Sequence, residues 1–252
     1  MKFFLFNRKR LTAAVCLLLA MGMIWTVNHP ALVGAAAATR QLPIYCVQRD
    51  QKEVAISFDA AWGNEDTQQL IDILGKYNIK ATFFVVGGWV DKYPESVKAL
   101  YDAGHEVMNH SNSHAHMSTL AREEIIADIE ACNDKIEAIT GVHPTLFRPP
   151  YGEYDDKVIT AVRSINMEPI QWDVDSLDWK EIPANEITKR VVSKVQPGSI
   201  VLFHNAAIHT PEALPTIIET LLQEGYTFVP ISKIILPQPY TIDHTGKQMA
   251  GS

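Results

Sequence analysis

From Glu53 onward, short apolar runs alternate with amphipathic ones, and this alternation restricts the fold more than any other feature of the chain. EVAISFDA has the period-two pattern of a strand, and NEDTQQLIDILGKY, with Asn64 placed to cap it, reads as the helix that follows. ATFFVVG, HEVMNH, LFRPP, EPIQWDVD, GSIVLFH and TFVPIS read as further strands. Between them lie the helical patterns PESVKALYDAG, Thr119 to Thr140, DDKVITAVRSI, ANEITKRVVSKV and PEALPTIIETLLQEG. The long helix puts Ile125, Ile129, Ile136 and Ile139 on one face and stops at Gly141. About seven β/α units in about 180 residues predict an α/β fold with a parallel sheet, and the short connections favour a closed or nearly closed barrel.

The predicted organisation is a leader over 1–38, a lead-in over 39–52, one domain over 53–235 and a tail over 236–252. The tail, with its prolines and YTIDHTGKQ, reads as a surface strap followed by a frayed end. The leader places Lys2, Arg8, Lys9 and Arg10 ahead of the uncharged run LTAAVCLLLAMGMIWTV and the small residues GAAAA, the pattern of an export signal or an uncleaved membrane anchor. The chain carries a net charge of −7 from 22 Lys and Arg against 29 Asp and Glu; without the four leader bases it would stand at −11. Such a surface repels phosphate polymers, which excludes nucleic acid as a partner and leaves the leader as the expected membrane contact. Cys16 lies in the leader behind Val15, against lipid attachment; Cys46 and Cys132 read as two independent thiols, with a single bridge as the alternative.

Polar residues collect at the carboxyl ends of these strands: Asp59, His110 with His114, Arg148, Asp173 with Asp175, and His204. In a parallel β/α barrel all these ends open on one face. Singly, each has an ordinary structural use, an aspartate as a helix cap or a histidine satisfied in the core. Together they predict a site. In NHSNSHAH the two histidines lie on a loop, which can wrap both imidazoles around one metal ion; His116 competes but leads toward solvent.

The ordered set SFDAAWG, NHSNSH, RPPYG, WDVDSLDW and LFHN resembles the five motifs of the polysaccharide deacetylases, carbohydrate esterase family 4 with its NodB homology domain, over Glu53 to Lys233. Within that family the motifs look most like the sporulation-associated deacetylase-like proteins of endospore formers. The resemblance implies a distorted barrel of seven or eight strands and hydrolysis of N-acetyl groups on peptidoglycan or a related N-acetylated glycan. It implies Asp59 as general base, His110 and His114 as ligands of a zinc- or cobalt-like divalent metal, and Arg148 as partner of Asp59. His204 would be the general acid and Asp175 its carboxylate partner, with Tyr151 offering its backbone N–H to the oxyanion. Trp179 and Leu202 would wall the acetyl methyl, Asp173 and Asp178 would be structural supports, and Ser111 would pin the metal loop. The chain departs from the family at Ala60, where the metal carboxylate is expected. Three alternatives follow: Asp59 moves to the metal, a water fills the gap in a weaker enzyme, or catalysis is lost and glycan binding kept, with the metal weakly bound or absent. The expected function is an exported or anchored glycan deacetylase of the cell wall or spore envelope, with a non-catalytic glycan binder as the alternative.

Overall fold

The computed structural model describes residues 17–18 and 40–251 and divides into two compact units, Met1–Arg40 and Gln41–Ser252. Of the first unit, Leu17 and Leu18 are helical and exposed. The expectations for a signal or anchor over 1–38, and for Cys16, lie outside the described residues. Among the described residues no helix is long and apolar enough to cross a membrane.

In chain order the second unit holds strands β1 (Cys46–Val47), β2 (Glu53–Ala60), β3 (Thr82–Val85), β4 (Glu106–Asn109), β5 (Leu146–Phe147), β6 (Glu168–Pro169), β7 (Val174–Asp175), β8 (Ser199–His204), β9 (Thr227–Phe228), β10 (Tyr240–Ile242) and β11 (Lys247–Ala250). Helices α1 (Thr67–Lys76), α2 (Gly87–Lys92), α3 (Pro94–Asp102), α4 (Arg122–Thr140), α5 (Asp156–Ser164), α6 (Ala184–Val192), α7 (Thr210–Gln223) and α8 (Ile231–Ile234) lie between them. The sheet order β8-β2-β3-β4-β5-β6 is parallel throughout, as the β/α alternation predicts. It curls into a half-barrel.

The remaining side is spanned by the lead-in, which the sequence reading placed outside the domain. Ile44 bridges to Ile170, and its N–H donates to the Pro169 carbonyl at 2.9 Å. Two residues on, Cys46 pairs with Ser199 of β8. Above this point β7 takes over, pairing Val174 with Val201 and Asp175 with Leu202. The approach is so close that a Cβ at Gly198 (φ +89°) would lie 1.7 Å from the Val47 carbonyl oxygen. Glycine is required there.

Strand alternation sorts the side chains. Val54, Ile56, Phe58 and Ala60 of β2 join an apolar layer with Leu70 and Leu74 of α1 and Ile217 and Leu221 of α7. Ala55 packs with Phe84, Met108, Ile170 and Ile200 inside the curl, closed at the strands' amino end by Ile231 and Ile234 of α8. Asp59, odd-numbered like Ala55, faces inward.

Three local expectations are corrected. Asn64 does not cap α1, which starts at Thr67; its side chain donates to Ser96 Oγ at 3.0 Å. The long helix starts at Arg122 rather than Thr119, where the Glu124 carboxylate accepts from the Ala121 N–H at 2.8 Å and pins the first turn. The tail is not frayed: β10 and β11 form a hairpin whose second strand runs parallel to β1. Cys46 and Cys132 are both free.

The hairpin is held by Gln248, fully buried, whose amide accepts from the Leu236 N–H at 2.7 Å and donates to the Leu236 carbonyl at 3.1 Å. Gln248→Ala strands both backbone groups, so urea denaturation should show a loss of about 1–3 kcal/mol. An unchanged midpoint would show that the hairpin contributes nothing to the barrel.

Candidate active site

Asp59 and His204 end adjacent parallel strands in direct register, Asp59 opposite His204. Both line a cavity of about 500 Å³ together with His110, His114, Tyr151, Asp175, Trp179 and Leu202. The strand-end convergence read from the sequence is therefore present. Asp173 is the exception, turned away to accept from Ser199 Oγ at 2.7 Å and the Ile200 N–H at 2.8 Å, as a support; burial pushes its pKa up to about 6.

Asp59 is 5% exposed and Arg148 is fully buried. Arg148 Nη1 donates to Asp59 Oδ1 at 2.7 Å, while Nη2 donates to the Gln171 carbonyl at 3.2 Å. The guanidinium lies over the Phe84 ring at 4.2 Å and that of Trp172 at 5.6 Å, which fixes its plane. Burial alone would raise the Asp59 pKa; the Arg148 charge and hydrogen bond, together with the nearby His110 and His204, outweigh it and hold the carboxyl below its ordinary value, ionised at neutral pH.

His110 Nδ1 lies 2.7 Å from the Arg148 carbonyl oxygen, so this nitrogen carries the proton and donates. Its Nε2 is left unprotonated, 3.5 Å from Asp59 Oδ2. Burial pushes the His110 pKa down to about 4 and that of His114 below its ordinary value, so both imidazoles are neutral at pH 7. The loop between them is strained, with Ser111 at φ +70° and His114 at φ +54°. It is pinned as the sequence predicted, Ser111 Oγ accepting from the His114 N–H at 2.8 Å. Asn109 Oδ1 accepts from the Ser111 N–H at 2.7 Å, and Asp128 of α4 takes the Asn112 N–H and the Ser113 hydroxyl. His116 points outward, bonded to Glu153 at 2.7 Å and stacked on Tyr151.

The donors on offer to a metal are two neutral imidazoles and one edge of Asp59, whose other oxygen is committed to Arg148. Among the described residues no three His, Cys, Asp or Glu side chains are placed to hold one ion. Ala60 is 1% exposed with its methyl in the apolar layer under the helices, on the opposite face of β2 from Asp59. A hydrolytic zinc centre uses three protein ligands; this set does not fit one.

The partner of His204 corrects the sequence reading. Asp178, not Asp175, accepts from His204 Nδ1 at 2.8 Å. Asp178 also takes the His204 N–H at 2.8 Å and the Thr210 hydroxyl at 2.7 Å. Leu177 adopts a left-handed turn (φ +56°) that swings Asp178 beneath the imidazole. Asp175 is spent on that turn, its carboxylate accepting from the Leu177 N–H at 2.8 Å and its carbonyl from Arg190 Nε. Burial would lower the His204 pKa; the hydrogen bond and charge of Asp178 outweigh it and raise the value above 6.5. The sequence also gave no role to Trp62, which lines the cavity and stacks on His204 with centroids 5.7 Å apart. An aromatic three residues after the strand-end aspartate was its signal.

A histidine whose folded pKa is raised adds stability that is present below its unfolded value and lost as pH rises through the folded one. Asp178→Asn should therefore lower the His204 pKa in an NMR titration of its ring protons and destabilise the fold more at pH 6 than at pH 9, while Asp175→Asn leaves the titration near the wild-type value. A larger shift in Asp175→Asn would return the partnership to Asp175.

The family model for polysaccharide deacetylase matches residues 47–170. The chain is 34% identical to the uncharacterized protein YlxY of Bacillus subtilis, covering 77% of this chain and 60% of that protein. It is 37% identical to the peptidoglycan-N-acetylmuramic acid deacetylase PdaC of B. subtilis, over 75% of this chain and 40% of PdaC. The chain thus spans less than two thirds of the length of both relatives. The crystal structure of BA3943, described as a CE4 family pseudoenzyme from Bacillus anthracis, superposes with a TM-score of 0.74 at 38% identity, covering 76% of this chain and 68% of that one. A BA3943 mutant is described as having restored enzymatic activity. With its half-barrel fold, five ordered motifs and these relatives, the chain belongs to the polysaccharide deacetylase family, carbohydrate esterase family 4.

Proposed function

We propose that this chain hydrolyses N-acetyl groups on cell-wall glycan, slowly, because the described residues at the site do not make up a full set of metal ligands. The observation that carries this reading is the pairing, across one cavity, of Asp59, pushed toward its ionised form by its Arg148 partner, with His204, pushed toward its protonated form by its Asp178 partner. These are the opposite protonation states that a general base and a general acid require. Asp59 takes a proton from water as its oxygen attacks the acetyl carbonyl. His204 then gives its proton to the nitrogen as the C–N bond breaks, yielding acetate and a sugar amine. Arg148 keeps Asp59 ionised and aimed, and Asp178 stabilises the imidazolium. Leu202 and Trp179, which line the cavity, would supply an apolar wall for the methyl group, and Tyr151, another lining residue, would offer its backbone N–H to the oxyanion.

The peptidoglycan named for PdaC supports the glycan as substrate. The basic, apolar and small-residue order of the first 38 residues supports export to where that glycan lies, and the motif details support a role in spore formation.

A second reading, glycan binding without turnover, is favoured by Ala60, whose methyl sits in the apolar layer. Acetate release from peptidoglycan and from the N-acetylglucosamine tetramer, in chelator-treated buffer and with added zinc, separates the two. The proposal expects slow release that falls at least about 10²-fold in Asp59→Asn and in His204→Ala. Release no faster than from those variants under either condition, with glycan binding intact, establishes the second reading.

A further inference from the structure

Trp62 stands two residues past β2, and the reaction above does not use it. Its indole is 47% exposed, yet its backbone is clamped. The buried Asn205 side chain donates to the carbonyls of Trp62 at 2.5 Å and Gly63 at 2.8 Å, and accepts from the Ala61 N–H at 3.3 Å. The Trp89 indole N–H donates to the Gly63 carbonyl at 2.6 Å. A Cβ at Gly63 (φ +54°) would meet Glu65 and Ala206, so the turn presenting Trp62 is tightly specified. The result is a large apolar ring held in place at the edge of the cavity and left half in water. Preorganisation of this kind lowers the entropy lost on binding.

The position of the ring identifies what it would cover. His204 delivers its proton to the amide nitrogen, and that nitrogen stays on the sugar after the acetyl group leaves. The pyranose must therefore lie on the His204 side of the cavity, with the acetyl carbon toward Asp59. The ring stacked on His204 is Trp62, at 5.7 Å with planes 21° apart. A pyranose presents a face of C–H groups, which packs on an aromatic ring through dispersion and weak C–H contacts. Of the other exposed rings lining the cavity, Trp179 is assigned above to the acetyl methyl and Tyr151 is placed differently. Tyr151 packs at 4.5 Å against His114 and at 4.4 Å against His116, on the histidine-loop side.

We infer that Trp62 is a sugar-stacking residue, the platform for the pyranose whose nitrogen His204 protonates. The inference rests on the deacetylase reading for the orientation of the sugar, but its test needs no turnover. Calorimetric titration of the full chain with the N-acetylglucosamine tetramer compares wild type, Trp62→Ala and Trp62→Phe. Trp62→Ala should bind about tenfold more weakly, which corresponds to about 1.4 kcal/mol, and Trp62→Phe should stay within about threefold of wild type. Thermal melts of the three proteins show that the fold is kept, and Trp62→Phe gives the comparison if the alanine variant melts early. Equal affinity in wild type and Trp62→Ala overturns the platform and leaves the glycan reading standing. No binding by wild type overturns both.

Discussion

The buried ion pair between Arg148 and Asp59 is the interaction on which the rest of the site depends. Two charges removed from water are strongly destabilising unless their geometry and remaining hydrogen bonds are well satisfied. Here the second guanidinium nitrogen reaches the Gln171 carbonyl, the flat faces lie against Phe84 and Trp172, and the Arg148 carbonyl orients His110, while Arg148 Nε is left without a hydrogen-bond acceptor among the described residues. Carboxylate, guanidinium and first histidine are therefore one unit, assembled from the ends of β2, β4 and β5. Disturbing any one strand end disturbs all three groups.

The other half of the site depends on β8, and β8 depends on the two ends of the domain. Its amino end is flanked by the lead-in through Cys46, its carboxyl half by β7, and β1 is itself backed by the tail hairpin. The lead-in and tail thus fix the strand that carries His204. Asp178 completes the arrangement from a turn directly behind β7, bonded to the side chain and backbone of His204 alike. Asp59 and His204 end up on neighbouring strands with their pKa values pushed in opposite directions because their partners, a guanidinium and a carboxylate, are opposite in sign.

Much of this was legible in the sequence. The parallel sheet follows from the alternation of patterns, and the placement of Asp59, His110, Arg148 and His204 follows from the rule that such strands open on one face. What the sequence did not show depends on turns and on distant pairing. Asp175 and Asp178 are both carboxylates next to the right strand, and only the left-handed turn at Leu177 decides which reaches the imidazole. The tail looked frayed because its polar, proline-rich composition carries no sign that Gln248 is buried against Leu236. Ala60 was read as a gap beside the metal loop; strand alternation puts its methyl under the helices, and a period-two count from Asp59 would have indicated that face. Trp62 was passed over because an exposed aromatic in a loop has no periodicity.

The proposed hydrolysis needs Asp59 ionised and His204 protonated in the same turnover. The pH dependence of acetate release from the N-acetylglucosamine tetramer tests this most directly. The predicted profile is a bell whose acid limb falls below the ordinary carboxylate value of 3.8 and whose alkaline limb falls above the ordinary histidine value of 6.5. A rate that climbs steadily through and beyond that alkaline limb would mean that hydroxide rather than Asp59 and His204 drives hydrolysis, and would contradict the account.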